Sequence, residues 1–308
     1  MTVTKIFSHR GDLDGWASAA IALPTAGRAK PELHLVEYGE PFPAEIIQEH
    51  DKVIILDFCP EDPDMVQEII EKSSVFWWID HHVSSRRMVE EHNFLDLLSP
   101  PSAFITDSEE NPMAACELAY MFFKKVEYKD IPYHIRLLGR YDIWDHTDKQ
   151  TLPFQYAMRA YLDPPTQDMQ KWKKLINPSK TDLELFKRLI DAGTYIKMYE
   201  DKKNASIAKH LCFEMEFEGY RTIAVNRILE SSLFFKEVYN PKKHDLMLQF
   251  GWDGNQWKLS FRSDKKTVDC SKLAEKYSGG GHAGAAGAAV QELPPDIRGA
   301  LYASNASE

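Results

Sequence analysis

Val75-Phe76-Trp77-Trp78-Ile79-Asp80-His81-His82 is the stretch that decides the fold. An apolar run of β-branched and aromatic residues reads as a buried strand. It stops abruptly at a carboxylate and two imidazoles, and a polar, helix-competent segment at residues 83–92 follows. In an open α/β sheet, ligands sit outside the carboxyl ends of the strands. Such a strand delivers Asp80, His81 and His82 where metal or proton-transfer clusters are built. The competing reading makes Asp80 a helix cap and the histidines solvated side chains. Two other strands end the same way, which decides against it.

Upstream, residues 5–9 read as a first strand, followed by Arg10-Gly11-Asp12-Leu13-Asp14-Gly15 and a helix at 16–23. A second strand is expected at 33–38 and a short helix at 44–50. The third strand, 52–57, is nearly continuous in β-branched residues, as suits burial on both faces. A helix at 64–72 leads to the Asp80 strand. Strands alternating with helices in this way mean a parallel sheet of βαβ units.

Three strand ends thus carry acid and imidazole: His9 with Asp12 and Asp14, then Asp57, then Asp80 with His81 and His82. Carboxylates crowded into one crevice repel each other, and burial raises their pKa values further. Bound divalent cations remove that penalty. Mixed His and Asp donors favour a transition metal such as manganese, cobalt or zinc over calcium. Two cations sharing a carboxylate can activate water and stabilise charge on a phosphoryl group.

Downstream, helices at 113–125 and 131–139 lead into Arg140-Tyr141-Asp142-Ile143-Trp144-Asp145-His146. This is a second acid cluster, in which Asp145 and His146 read equally well as a solvated helix end. Residues 147–178, aromatic and proline-punctuated, fit an insertion or bridging segment. Thr181-Asp182-Leu183-Glu184 reads as a capping box opening a long connector helix to about residue 210. Strands are expected at 221–226, 245–250 and 256–262, with Asp253-Gly254-Asn255 as a hairpin turn. A short helix at 272–277 runs into Ser278-Gly279-Gly280-Gly281-His282-Ala283-Gly284. Consecutive glycines let backbone N–H groups turn toward an anion. A flexible linker is the alternative, but the embedded His282 and the Ala-rich strand behind it argue against one.

The chain of 308 residues, 44% hydrophobic and 27% charged, is long enough for two domains. Its formal net charge of −10 argues against a long, sequence-independent nucleic-acid clamp, which needs a basic stripe. Cys59, Cys116, Cys212 and Cys270 are scattered, so neither a disulfide framework nor a zinc ribbon is indicated. With no signal peptide and no apolar run long enough for a bilayer, a reduced cytoplasmic location is expected. No membrane partner is expected.

Together these residues resemble the DHH phosphoesterase family over nearly the whole chain. The resemblance rests on Asp80-His81-His82, on His9-Arg10-Gly11-Asp12-Leu13-Asp14-Gly15, on Asp57, on Asp142 and on Gly279-Gly280-Gly281-His282. It implies an α/β protein: a parallel-sheet catalytic domain (1–148), an insertion and connector helix (149–212), and a smaller mixed α/β substrate-binding domain (213–308). It implies two Mn2+ ions, with Mg2+ or Co2+ as substitutes. His9, Asp12 and Asp57 would hold one ion. Asp14, Asp57, His81 and Asp142 would hold the other, with Asp57 bridging. His82 would contact the substrate phosphate, and Asp80 would orient the histidines. Arg262, Ser263, Gly279, Gly280, Gly281 and His282 would bind substrate.

The expected activity is hydrolysis of short oligonucleotides from an end to nucleoside monophosphates. Two alternatives stay open: a phosphomonoesterase or polyphosphate hydrolase acting on a phosphorylated nucleotide or polyphosphate, and a non-catalytic nucleotide-binding protein. Oligomeric state is open too, with a homodimer as one candidate.

Overall fold

The computed structural model describes residues 3–25, 30–99 and 112–303. By its internal packing the chain forms two compact units, Met1–Lys197 and Met198–Glu308.

In the first unit, β1 (Thr4–His9), β2 (Glu32–Val36), β3 (Lys52–Leu56) and β4 (Val75–Ile79) form a wholly parallel sheet in the order β2-β1-β3-β4. Its helices are α1 (Leu13–Ala22), α2 (Pro63–Lys72), α3 (Val83–Glu91), α4 (Ala115–Lys124), α5 (Tyr133–Asp142), α6 (Thr151–Tyr161) and α7 (Met169–Ile176). The strands are apolar on both sides because both faces are covered. Phe7, Val53, Ile55, Phe76 and Trp78 face one core, with Val66 and Ile69 of α2 and Val89 of α3. Ile6, Ile54, Leu56 and Ile79 face the other, with residues of α1, α4, α5, α6 and α7. Each fully buried side chain such as Phe76 contributes about 1.5–3 kcal/mol.

From β1 the chain passes to β2 on one side and then returns to β3 on the other. The strand order therefore reverses between β1 and β3, and the crevice beyond their carboxyl ends is where such sheets bind ligands. His9 ends β1, and Asp57 immediately follows β3.

The second unit is a six-stranded mixed sheet, ordered β5-β6-β7-β8-β10-β9. The strands are β5 (Phe213–Phe217), β6 (Tyr220–Asn226), β7 (Leu246–Trp252), β8 (Trp257–Arg262), β9 (Gly280–His282) and β10 (Ala285–Val290). Only β6 and β7 run parallel. Counting the long helix Lys180–Leu211 as α8, the remaining helices are α9 (Cys270–Glu275) and α10 (Pro295–Ala303), which pack on one face of the sheet. The division between the units falls within α8. No helix among the described residues is long and apolar enough to cross a membrane.

Three local expectations are corrected. The helix expected at 44–50 is a single 3-10 turn, Ala44–Ile46. The Asp51 carboxylate accepts from Gln48 N at 3.0 Å and from Val3 N at 3.1 Å, so the amide a longer helix would use is already engaged. The capping box of α8 is Ser179 with Asp182, two residues before the expected pair. Ser179 N and Oγ donate to Asp182 Oδ2 at 2.9 and 2.5 Å, and Asp182 N donates back to Ser179 Oγ at 3.2 Å. Residues 147–178, read as an insertion, contain α6 and α7, whose Phe154, Met158 and Trp172 join the core of the first unit. Pro153 is tolerated because it lies in the first turn of α6.

Candidate metal centre

Each acidic strand end is fixed by a local backbone reason. Asp12 is the N-cap of α1, accepting from Gly15 N at 2.9 Å. Gly15 has no alternative, since a Cβ there would lie 2.3 Å from the His9 carbonyl oxygen. Asp14 is drawn inward, where its two oxygens accept from the first-turn amides of α4, Ala115 N and Cys116 N, both at 2.9 Å. Asp57 leaves β3 with φ 52° while its N–H donates to Ile79 O at 3.0 Å. That bond ties the end of β3 to the end of β4 and brings Asp57 beside Asp80-His81-His82. A non-glycine residue held at positive φ costs of order 1–3 kcal/mol and marks a site held in place by its surroundings.

The sheet brings the predicted ligands into two groups that meet at Asp57. His9, Asp12 and Asp57 form one, and Asp14, His81 and Asp142 form another, with potential ligand atoms within 4.8 Å of one another in each. His9 Nδ1 lies 3.1 Å from Asp12 Oδ2 and 3.6 Å from Asp57 Oδ2. His81 Nε2 lies 3.0 Å from Asp142 Oδ2, 3.4 Å from Asp57 Oδ1 and 3.9 Å from Asp14 Oδ2. Each oxygen of Asp57 thus faces a different group.

Asp57 is only 1% exposed, yet among the described residues neither of its oxygens accepts a well-formed hydrogen bond; the two imidazoles nearby, His81 and His9, stand at 3.4 and 3.6 Å. A buried carboxylate without donors is costly. A divalent cation on each side is what the donor set fits, and mixed imidazole and carboxylate ligation suits a transition metal.

The electrostatics point the same way. Burial pushes the Asp14 carboxyl well up, with Asp57 and Asp142 adding to it. Burial also raises Asp142, partly offset by its hydrogen bond with His81. Burial opposes charge on His9 and His81, but the surrounding carboxylates outweigh it and raise both imidazoles well above their ordinary value. Without cations the site holds protons; ligation requires neutral imidazoles and ionised carboxylates, so bound cations displace them.

Asp80, fully buried, is the pin of the triplet. Its Oδ1 accepts from His81 N (2.7 Å), His82 N (3.3 Å) and His82 Nδ1 (2.6 Å), and its Oδ2 accepts from Ser85 Oγ. Burial opposes its ionisation, but the His82 imidazole and these hydrogen bonds hold Asp80 well below the usual carboxylate range. Burial lowers His82, while Asp80 more than restores it, leaving it raised.

Three contributors were not read from the sequence. Glu37 Oε1 meets His9 Nε2 at 3.2 Å, and Tyr38 packs its ring against those of His9 and His82 at 5.4 and 6.0 Å. Ser85 is the third. The expected strand at 33–38 placed Glu37 inside a strand. In fact β2 ends at Val36, so Glu37 makes β2 a fourth strand with an acid at its end. Asp145 serves the loop instead of this centre, its Oδ1 accepting from Thr147 N and Oγ1 at 2.9 and 2.6 Å.

In the second unit, Arg262, Ala285 and His282 pair across three adjacent strands, so the arginine and histidine share one row and one face of the sheet. Ser263 Oγ donates to Asp245 O (2.7 Å) and accepts from Lys265 N (3.1 Å), which fixes the turn after β8. Packing requires glycine at 279 and 281. A Cβ on Gly279 would lie 2.1 Å from Gly287 O, and Gly281, at φ 136°, would bring one 2.7 Å from Ala285 O. Gly280 has open space around it.

Family models match the chain at residues 4–140, as the DHH family N-terminal domain, and at residues 234–305, as the DHHA1 domain. The chain belongs to the DHH phosphoesterase family. This DHH protein is accordingly a hydrolase of phosphoesters. No curated protein matches its sequence. Among solved structures it is similar to a DHH-domain member of the s1p family of ribosomal proteins, at 14% identity over 99% of this chain and 87% of that one, with a TM-score of 0.58. It is similar to RecJ from Thermus thermophilus in complex with Mn2+, at 13% identity over 99% and 52% of the chains and a TM-score of 0.50. A pGpG-specific phosphodiesterase, PggH from Vibrio cholerae, matches at 13% identity over 100% of both chains with a TM-score of 0.44. At these identities the likeness is one of fold.

Proposed function

We propose that this DHH protein is a Mn2+-dependent phosphodiesterase that releases nucleoside monophosphates from the end of short oligonucleotides. The observation that carries this reading is Asp57, a buried carboxylate whose two oxygens face two separate His/Asp groups and accept no well-formed hydrogen bond from the described residues. His9, Asp12 and Asp57 would hold one ion, and Asp14, Asp57, His81 and Asp142 the other. Two cations so held supply an activated water and neutralise the charge that develops on the phosphoryl oxygens.

The residues of the chain do the rest. Asp80 fixes the His82 ring through Nδ1, so Nε2 is the atom to meet a phosphate oxygen. The raised pKa of His82 favours the imidazolium, which donates to that oxygen and stabilises added charge. Within the second unit, the row formed by Arg262 and His282 offers hydrogen-bond donors suited to a phosphate. A net charge of −10 offers little track for a long polymer, so the favoured ligand is short.

Product-resolved digestion of labelled two- to ten-nucleotide RNA and DNA with Mn2+ tests the reading, with a 3′,5′-bisphosphonucleotide and polyphosphate run in parallel. Monophosphates should accumulate fastest from substrates of up to about five nucleotides. Release of inorganic phosphate from the bisphosphonucleotide or polyphosphate, with intact oligonucleotides, would overturn it.

A further inference from the structure

The turn that closes α5 holds a side chain that helix termination does not explain. Trp144 N donates to Tyr141 O at 3.1 Å and Asp145 N to Arg140 O at 2.7 Å, with Trp144 at φ 60°. This pair of bonds ordinarily closes on glycine, because a left-handed residue brings its Cβ against a carbonyl. Here the position carries an indole that is 44% exposed.

Its neighbours hold the ring in place. The His146 ring lies 4.4 Å away by centroids and Tyr141 6.0 Å, while Arg159 sits over the Tyr141 ring at 5.4 Å. Asp142, two residues earlier, faces His81 in the metal cluster. Two residues span at most ~7 Å. A single exposed aromatic is ordinary surface. An indole fixed in a disfavoured backbone conformation, packed against two rings and two residues along the chain from a candidate metal ligand, is a different matter.

We propose that Trp144 is a stacking platform for the nucleobase of the nucleotide whose phosphate lies at the metal centre. The proposal rests on the phosphodiesterase reading for the identity of that phosphate. A flat π-face next to a phosphate site suits a nucleotide, and every base offers such a face, so recognition is tolerant of sequence. Stacking would set the register of the terminal nucleotide against His82 and Asp57. It would also favour base-bearing chains over polyphosphate, which has nothing to stack.

Trp144→Gly is the informative variant, because glycine is what this backbone prefers and the fold should survive it. Two probes, adenosine 5′-monophosphate and ribose 5-phosphate, are titrated by equilibrium dialysis with Mn2+ present, against wild type, Trp144→Gly and Trp144→Phe. Wild type should prefer the base-bearing probe, and Trp144→Gly should lose about tenfold to a hundredfold of that preference. Trp144→Phe should keep most of it, with metal content equal in all three. The KM for a dinucleotide should rise in parallel in Trp144→Gly. An unchanged preference in Trp144→Gly overturns the platform even if oligonucleotides are cleaved. Absence of any oligonucleotide cleavage by wild type overturns the phosphodiesterase reading instead, and the preference ratio still decides the stacking.

Discussion

Glu117 stands in the helix turn that supports the candidate metal centre, and its replacement makes a quantitative test of that support. The residue is in the first turn of α4 and only 1% exposed; its Oε2 accepts from Ala114 N at 3.1 Å. The next amides of the same turn, Ala115 and Cys116, are those that hold Asp14. Burial pushes the Glu117 carboxyl up from 4.5 to about 7, against the opposing pull of the Ala114 N–H and nearby Arg140 and Arg136. A shift of that size corresponds to about 3 kcal/mol of linkage. Between these values the folded protein keeps a proton that the unfolded chain has released. The stabilising contribution is therefore complete below pH 4.5 and is lost as pH rises through about 7. Glu117→Gln mimics the protonated form at every pH. Relative to wild type, it should gain up to about 3 kcal/mol of stability as pH rises from 4.5 through about 7, read by urea unfolding of metal-free protein across that range. Parallel stability curves for the two proteins would refute the assignment of a buried carboxyl that keeps its proton up to about pH 7.

Other consequences follow from the pairings around the two histidines. Glu37→Gln should lower Mn2+ affinity about 10–100-fold by loosening His9, the usual effect of losing a carboxylate behind a ligating imidazole, with little change in urea midpoint. Unchanged affinity in a titration would remove Glu37 from the site. His81→Ala should lose bound metal, whereas His82→Ala should keep it and lose turnover; equal metal loss in both would show that the pair has been divided wrongly.

Much of the fold was legible because burial on both faces leaves a plain mark. The β-branched run before Asp57 and the aromatic run before Asp80 read as buried parallel strands, the first central and the second at the sheet edge, and their ends delivered the acids. What escaped was decided by competition between neighbouring groups. The Asp51 carboxylate takes the Gln48 amide that a helix at 44–50 would have needed. Glu37 was hidden by a strand boundary two residues too late. The first strand of the second unit, β5, has a clear alternation in Phe213-Glu214-Met215-Glu216-Phe217, and turns into β6 through Glu218 and Gly219, both at positive φ. That turn lacks the Asn-Gly or Asp-Gly signal that usually betrays such a hairpin. The glycine run at 279–281 was read for anion binding, and its close approach to β10 depends on long-range pairing that local sequence does not announce. Trp144 had no sequence signal at all, since nothing local requires an indole where glycine would close the helix.

Two-metal hydrolysis at this site requires Asp57 to serve two cations at once. Equilibrium dialysis of Mn2+ against wild type and Asp57→Asn, with circular dichroism to confirm that both are folded, measures this directly. Wild type should bind two ions per chain, and Asp57→Asn should lose affinity at both sites together with oligonucleotide turnover. A folded Asp57→Asn that still binds two ions tightly, or turns over at the wild-type rate, would contradict it.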